Sequence, residues 1–266
     1  MTILMTGATG QVGRRVIDLL VAAGEPVRAI TRRPGEAGLP AAVDVRAGDL
    51  TRPDSVSAAF DGADQLYLLG DGDTAGLLEQ ACRAGVRHVV TLSTIQAPGS
   101  AIGDHHRRTE RLVEDSGLRW THLRPGMFAG NLGFWADQIR AGGVVREPCA
   151  GAQLEPVHPQ DIAERAAAAL LGDSPANRVD EFIGPQSFTK PELLAVVGSA
   201  LGRDLRFEEI SEQDYRERSR LPEFIVDGQL HHWRLYTRPG GHSGIAAPST
   251  ARTVHTWVQE NLDRFR

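Results

Sequence analysis

An imidazole and a carboxylate stand four residues apart in D-H-H-R-R-T-E, Asp104 to Glu110. On a helix that spacing places His106, Thr109, Glu110 and Val113 on one face and Arg107, Arg111 and Glu114 on another. The first face is expected to meet the core. An imidazole titrates at about 6.5, and a carboxylate within reach favours its charged form. His106 is therefore expected to serve as a general acid near neutral pH, with Glu110 accepting from hydroxyl donors. The plain alternative is a solvent-exposed pair contributing a few tenths of a kcal/mol at most.

Such a pair needs a ligand, and the N-terminal residues supply the reason to expect one. T-G-A-T-G-Q-V-G, Thr6 to Gly13, sets Gly7, Gly10 and Gly13 at G-x-x-G-x-x-G spacing between a strand-like run and a helical one. Glycines there let the backbone turn tightly, approach a pyrophosphate and pack the helix on the sheet. Thr9, Gln11 and Val12 complete the turn, and the helix end that follows offers N–H groups to an anion. At the end of the second strand the chain reads A-I-T-R-R-P. No acid stands at Ile30 or Thr31 to accept from an adenosine ribose, while Arg32 and Arg33 can meet a 2′-phosphate, so NADP(H) is expected over NAD(H). Asp49 and Leu50 of G-D-L are expected at the adenine, with a turn-capping role as the alternative for Asp49.

The elements that must position these groups alternate in type. Thr2–Thr6, Val27–Thr31, Val43–Ala47, Gln65–Leu69, Val86–Ser93 and Leu118–Leu123 read as strands. Gln11–Ala23, Ser55–Phe60, Thr74–Ala84 and a stretch from Asp104 to about Ser116 read as helices between them. Alternation of this kind, with runs apolar on both faces, predicts an α/β fold of the Rossmann type, a doubly wound parallel sheet. Further helices are expected at Phe134–Ala141, Pro159–Leu171, Thr189–Leu201 and Thr250–Phe265. Leu221 to Pro248 shows no clear period.

Composition narrows the partners. With 266 residues the chain can bury one generous core, and a net charge of −5 without a massed basic segment argues against nucleic acid. A small-molecule substrate is expected. Cys82 and Cys149, the two cysteines, have no metal or redox spacing, and His231, His232 and His242 lack a carboxylate or cysteine at ligand spacing, so no metal is expected. M-T-I-L-M-T-G carries no basic start and no apolar run reaches 18 residues, so neither a leader nor a membrane span is expected. A cytoplasmic monomer or homodimer follows as the expectation.

T-G-A-T-G-Q-V-G, T-R-R-P, A-G-D-L, V-V-T-L-S, the H-x-x-x-E of His106–Glu110, S-G-L-R-W-T-H-L-R-P-G-M-F-A-G-N and H-P-Q-D-I-A together resemble the NmrA-like atypical short-chain dehydrogenase/reductases. The likeness runs from Met1 to about Arg203. W-A-D-Q-I-R-A-G-G further resembles the ergot-alkaloid reductases of the festuclavine synthase and agroclavine dehydrogenase type. The resemblance implies a Rossmann domain over residues 1–150 and, over 151–266, mainly a smaller C-terminal substrate-covering lobe interleaved with it in a single compact unit. It also implies NADPH preference and, in some members, reductase activity. At matching positions, Ser93 faces the substrate and the cofactor, Pro125, Gly126, Met127 and Phe128 pass the nicotinamide, and Leu69 and Gly70 lie near its ribose.

In that family many relatives carry a tyrosine and a lysine where His106 and Glu110 stand. The same ribose contact survives with Glu110 if the polarity is reversed, the hydroxyls donating. The negative charge would suit a cationic acceptor such as an iminium. These residues are expected to make the chain an NADPH-dependent oxidoreductase, reducing a C=O, C=N or activated C=C group of a partly aromatic metabolite. Two alternatives stay open: an NADP(H)-binding redox sensor without turnover, and a non-redox isomerase, dehydratase or cyclase.

Overall fold

A computed structural model describes residues 1–96, 99–172, 175–237, 244–245, 247 and 251–266. The chain opens with β1 (Ile3–Met5), α1 (Gly13–Ala22), β2 (Val27–Thr31), β3 (Asp44–Ala47), β4 (Gln65–Leu68), α2 (Thr74–Ala84) and β5 (His88–Leu92). It continues through α3 (Ala101–Asp115), β6 (Arg119–Pro125), α4 (Ala136–Gly142), β7 (Val144–Glu147), α5 (Pro159–Leu171) and β8 (Arg178–Phe182). The remainder holds α6 (Lys190–Leu201), β9 (Arg206–Glu209), α7 (Glu212–Arg218), α8 (Glu223–Thr237) and α9 (Val254–Glu260).

These elements divide into two units whose segments alternate along the chain. The first comprises Met1–Thr94, His105–Arg124 and Pro159–Glu181. Its seven-stranded sheet has the order β3-β2-β1-β4-β5-β6-β8. Every pairing from β3 across to β6 is parallel. The chain runs outward from β1 in one direction and resumes at β4 in the other, which makes the β1/β4 boundary the switch point where such sheets bind ligands. The fold is thus the Rossmann-type α/β sheet that the alternating periods predict.

Burial explains the alternation. Leu4, Ile30, Leu66, Leu68 and Val89 of the sheet share one apolar cluster with Leu77 and Ala81 of α2 and Val113 of α3. Val16, Ile17 and Leu20 of α1 are also fully buried. α1 packs on α5, whose run of alanines (Ala163, Ala166, Ala167) lets two helices approach closely. α2 occupies the expected residues because Asp73 caps its first turn and Gly85 ends it in the left-handed conformation. Residues Pro53–Ala59, expected to hold a helix at Ser55–Phe60, form a 3-10 helix instead.

The second unit comprises Ile95–Asp104, Pro125–His158 and Phe182–Arg266. Trp135, Ile139, Leu193, Val197, Trp233 and Trp257 lie in its core, beside the parallel pair β7–β9. Within that core Lys190 is fully buried. Its Nζ lies 3.0 Å from Glu147 Oε2, 2.8 Å from the Pro148 carbonyl and 3.0 Å from the centre of the Trp233 ring. Glu147 also accepts from Trp135 Nε1 at 2.9 Å.

The stretch without clear period, Leu221 to Pro248, contains the 15-residue helix α8. No single apolar stripe marks it because Val226, Leu230, His232 and Trp233 are buried and Gly228 is pressed against Ile102. His242 and the start of the helix expected from Thr250 lie outside the described residues; α9 occupies Val254–Glu260. Among the described residues no helix is long and apolar enough to cross a membrane, and no group of three His, Cys, Asp or Glu side chains could hold a metal.

Candidate active site

The glycine turn is built by close approach. Gly7 has φ +62°, a conformation side chains rarely adopt, and a Cβ on it would sit 2.8 Å from Leu69 Cδ2. A Cβ on Gly13 would sit 2.2 Å from the Gly7 carbonyl oxygen, so only glycine lets α1 start this near the end of β1. Gly10 N–H donates to the Gly7 carbonyl at 3.0 Å. Thr9, Gly10 and Gln11 form the exposed tip, while Val12 turns its side chain into the core and offers a ligand only its backbone. α1 has neither a side-chain cap nor an acid in its first turn, the end chemistry that an anion would complete. Arg14 braces the turn from behind, donating to the Thr9, Ala37 and Gly38 carbonyls at 3.1, 2.6 and 2.8 Å.

Beside this turn lies a cavity of about 320 Å³, walled by Gly7, Thr9, Thr31, Arg32, Asp49 and Leu69 among others. Ile30, Arg33 and Leu50 also reach it. The two arginines differ. Arg33 Nη1 pairs with Glu36 at 2.6 Å, whereas Arg32 has no such partner among the described residues. Asp49 caps its own loop: Oδ1 accepts from Thr51 N at 3.0 Å and from Thr51 Oγ1 at 2.8 Å. Those bonds, with the charges of Arg52 and Arg32, hold its carboxyl below the usual range. A cavity with no acid at the end of β2, one unpaired guanidinium and a glycine-lined floor fits an NADP(H) nucleotide. Leu69 N–H donates to Thr6 Oγ1 at 2.7 Å, and Gly70 beyond it lies against the Thr109 side chain of α3.

Further along the same strand ends, Ser93 follows β5 and is buried. Its Oγ donates to Glu110 Oε1 at 2.6 Å. Glu110, Thr109 and Val113 are buried on the α3 face that the spacing selects. Two arginines then converge on Glu110. Arg124, at the end of β6, donates through Nε to Oε1 at 2.9 Å and through Nη2 to Oε2 at 2.7 Å. Arg107 Nη1 donates to Oε1 at 2.8 Å, and its Nη2 donates to the Thr94 carbonyl at 2.9 Å. Burial pushes the Glu110 carboxyl upward, but the bonds from Arg124 and Ser93 and the two guanidinium charges hold it at about 2.

His106 takes no part in that cluster. Its Nδ1 is buried without a hydrogen-bond partner among the described residues, and its ring meets His105 edge-on. Burial first, then the charges of His105 and Arg107, lower its pKa to about 4, and the attraction of Glu110 does not compensate. The imidazolium expected from a neighbouring carboxylate is therefore absent at neutral pH. The arginines cancel the negative charge that spacing alone assigns to this face.

Pro125, Gly126, Met127 and Phe128 belong to the second unit. There Gly126 N–H donates to the Phe182 carbonyl at 2.9 Å, and Val157 N–H donates to the Met127 carbonyl at 2.7 Å. Phe128 bridges to Val157. His232, one of the histidines near Trp233, is buried against Tyr236.

Sequence spacing overlooks Arg107 and Arg124. The signal that points to them is electrostatic: a carboxylate on the inward face of a helix must be paired, since an unpaired buried charge costs several kcal/mol. Arg107 lies one turn back on α3, and Arg124 ends the strand beside Ser93.

Comparison with known proteins gives matching findings. The model of the family described as NAD(P)H-binding matches residues 7–171. A (4-alkanoyl-5-oxo-2,5-dihydrofuran-3-yl)methyl phosphate reductase of Streptomyces griseus subsp. griseus is 38% identical over 217 residues, covering 78% of this chain and 77% of the relative. An NAD(P)H azoreductase of Xenophilus azovorans is 31% identical over 88% of this chain and 86% of its own. Among solved structures, an NADPH-dependent quinone oxidoreductase from Escherichia coli superposes with a TM-score of 0.82 at 25% identity, covering 97% of this chain and 98% of that one.

Proposed function

The chain belongs to the NAD(P)H-binding family of reductases, and from that premise we propose that it uses NADPH to reduce a conjugated C=O, C=N or activated C=C group in a small, partly aromatic metabolite. The observation that carries the reading is the cavity beside the glycine turn, with Arg32 at the end of an acid-free β2. The N-terminal end of α1 would face the diphosphate and Arg32 the 2′-phosphate, while Leu69 and Gly70 would border the nicotinamide ribose. From β2 to β5 the sheet edge spans three strand spacings, roughly 14 Å. An extended dinucleotide laid along that edge leads from the cavity to Ser93. When bound, the nucleotide supplies a hydride equivalent, and this chain's residues orient the acceptor and exclude water.

The names of the relatives support the acceptor class, since an unsaturated lactone, an azo compound and a quinone are all electron-poor conjugated systems. An acid–base isomerase or cyclase gains no support from His106 and Glu110, since near neutral pH the first is a neutral imidazole and the second a carboxylate. The pair thus lacks an imidazolium or carboxylic acid to serve as general acid. The narrower likeness to ergot-alkaloid reductases rests on residues Trp135 to Gly143. Trp135 and Ile139 of that run are core residues, so the likeness supports shared packing rather than a particular substrate.

Calorimetric titration with NADPH and NADH, followed by NADPH oxidation against a panel of quinones, azo compounds and unsaturated lactones, tests the proposal. NADPH is expected to bind at least about tenfold more tightly than NADH, as a charge-assisted phosphate contact would provide. A protein that binds neither nucleotide would end it.

A further inference from the structure

Resting on the reductase reading above, we propose that Arg107 is the residue that touches the hydride acceptor, and that the acceptor is one whose reduction places negative charge on an oxygen: a quinone, an enone or an unsaturated lactone.

Position comes first. Arg107 Nη2 bonds the Thr94 carbonyl, so the guanidinium lies over the carboxyl end of β5, the edge at which open α/β sheets receive ligands. Its side chain retains 14% exposure while that of Glu110 retains 3%. The carboxylate stands behind and the cation in front. Arg107 is also fixed before any ligand arrives, because Glu110 holds it at 2.8 Å and is itself gripped by Arg124 and Ser93. A charge held in advance stabilises a transition state without reorganisation.

The neighbouring groups serve less well. Ser93 directs its proton at Glu110 rather than outward. His106 is a neutral imidazole at physiological pH. A guanidinium keeps its proton, so it stabilises the anion without protonating it.

The chemistry balances on that basis. Hydride, two electrons and one proton, is released as the nicotinamide C–H bond breaks and NADP⁺ forms. It would add to the electron-poor carbon of an enone or lactone, forming a C–H bond, or to one carbonyl oxygen of a quinone, forming an O–H bond. The π electrons of the acceptor would move to its remaining carbonyl oxygen, which becomes an enolate or hydroquinone monoanion beside Arg107. Water then supplies the second proton. An iminium acceptor reverses this logic, since hydride would quench a cation that the guanidinium already repels.

The test uses the full chain with Arg107→Met and Arg107→Lys. Wild type should oxidise NADPH with 2,6-dimethyl-1,4-benzoquinone or cyclohex-2-enone. R107M should lose about 100-fold or more in kcat, the size seen when a preorganised donor to an oxyanion is removed. NADPH affinity, read by fluorescence, should stay within about twofold. Guanidinium chloride at tens of millimolar should restore turnover of R107M, and methylammonium at equal ionic strength should not. A readout free of turnover is the absorbance titration of 4-nitrophenol on NADP⁺-loaded protein. Its ionisation should move to lower pH by about one unit on wild type and stay at the solution value on R107M, one unit being a tenfold change. If R107M does not fold, R107K keeps the charge without the planar fork and should still lose about tenfold in kcat.

Turnover of R107M or R107K within threefold of wild type, or an unmoved 4-nitrophenol titration on wild type, overturns the assignment. Turnover of a 3,4-dihydroisoquinolinium but of no quinone or enone also overturns it, leaving the reductase reading intact. Failure of wild type to bind NADPH removes both.

Discussion

Arg124 grips both carboxylate oxygens of Glu110, its Nε 2.9 Å from Oε1 and its Nη2 2.7 Å from Oε2, and so ties the end of β6 to the middle of α3. Two parallel N–H···O bonds of this kind fix orientation as well as distance. Removing the carboxylate charge leaves two guanidinium groups facing each other. Glu110→Gln is expected to destabilise the protein by about 3 kcal/mol, in the range for breaking a buried pair. Urea denaturation at pH 7 reads this, and an unchanged midpoint would mean that the pair is idle. With a folded pKa of about 2 against an ordinary 4.5, the stabilisation from Glu110 is complete above pH 4.5 and disappears as pH falls through 2.

Three further groups of the first unit act at higher pH. Burial is the first cause that lowers the pKa of His88, His106 and His122 from 6.5 to about 4. The unfolded chain takes up these protons before the folded one does, so their contribution is whole above pH 6.5 and is lost as pH falls through 4. Stability should therefore decline across that window, each fully titrating group adding about 1.4 kcal/mol per pH unit. Denaturant midpoints from pH 8 to 4 check the slope. A flat profile to pH 4.5 would contradict the burial of these rings.

The same displacement bears on turnover. A neutral His106 has no ionisation between pH 5 and 8, so kcat should show no limb near 6.5 that His106→Asn abolishes. Such a limb in wild type, absent from the variant, would restore His106 as the acid.

Arg32→Ala is expected to weaken NADPH binding by on the order of tenfold while leaving NADH nearly unchanged, since only one of them carries the 2′-phosphate. Arg33→Ala should cost less than about threefold, because Glu36 already engages that guanidinium. Calorimetry with both nucleotides decides it. Equal losses at the two positions would put the phosphate between them.

In the second unit, Lys190→Met should cost about 3–5 kcal/mol by leaving the Glu147 carboxylate buried and unpaired. Adding Glu147→Gln should return at least half of that loss, because the orphaned charge goes with it. Denaturant curves of both variants test the coupling. Additive losses would show that Lys190 matters through its packing on Trp233 alone.

Local physics made some of this legible. α2 and α5 could be read to the residue, because caps, a terminal glycine and a leading proline mark their ends. The glycine turn was legible for the same reason, its requirements being met within eight consecutive residues. α8 was not, since its burial comes from several sides and leaves no stripe. The Arg124–Glu110 pair was hidden by distance along the chain. Leu92 pairs with Leu123 in the β5–β6 ladder, so Ser93 and Arg124 end level with each other only once that register exists.

The order in which the chain visits its two units has an evolutionary consequence. Each passage from the first unit to the second begins within two residues of the end of β5, β6 or β8, and the two returns fall within α3 and at the start of α5. The second unit is thus made of two insertions, Ile95–Asp104 and Pro125–His158, and the segment Phe182–Arg266 that follows β8. Selection can lengthen, shorten or rewrite those segments while the strands beside the glycine turn keep their register. Changes of length in those segments leave the pairing of β1 to β6 intact.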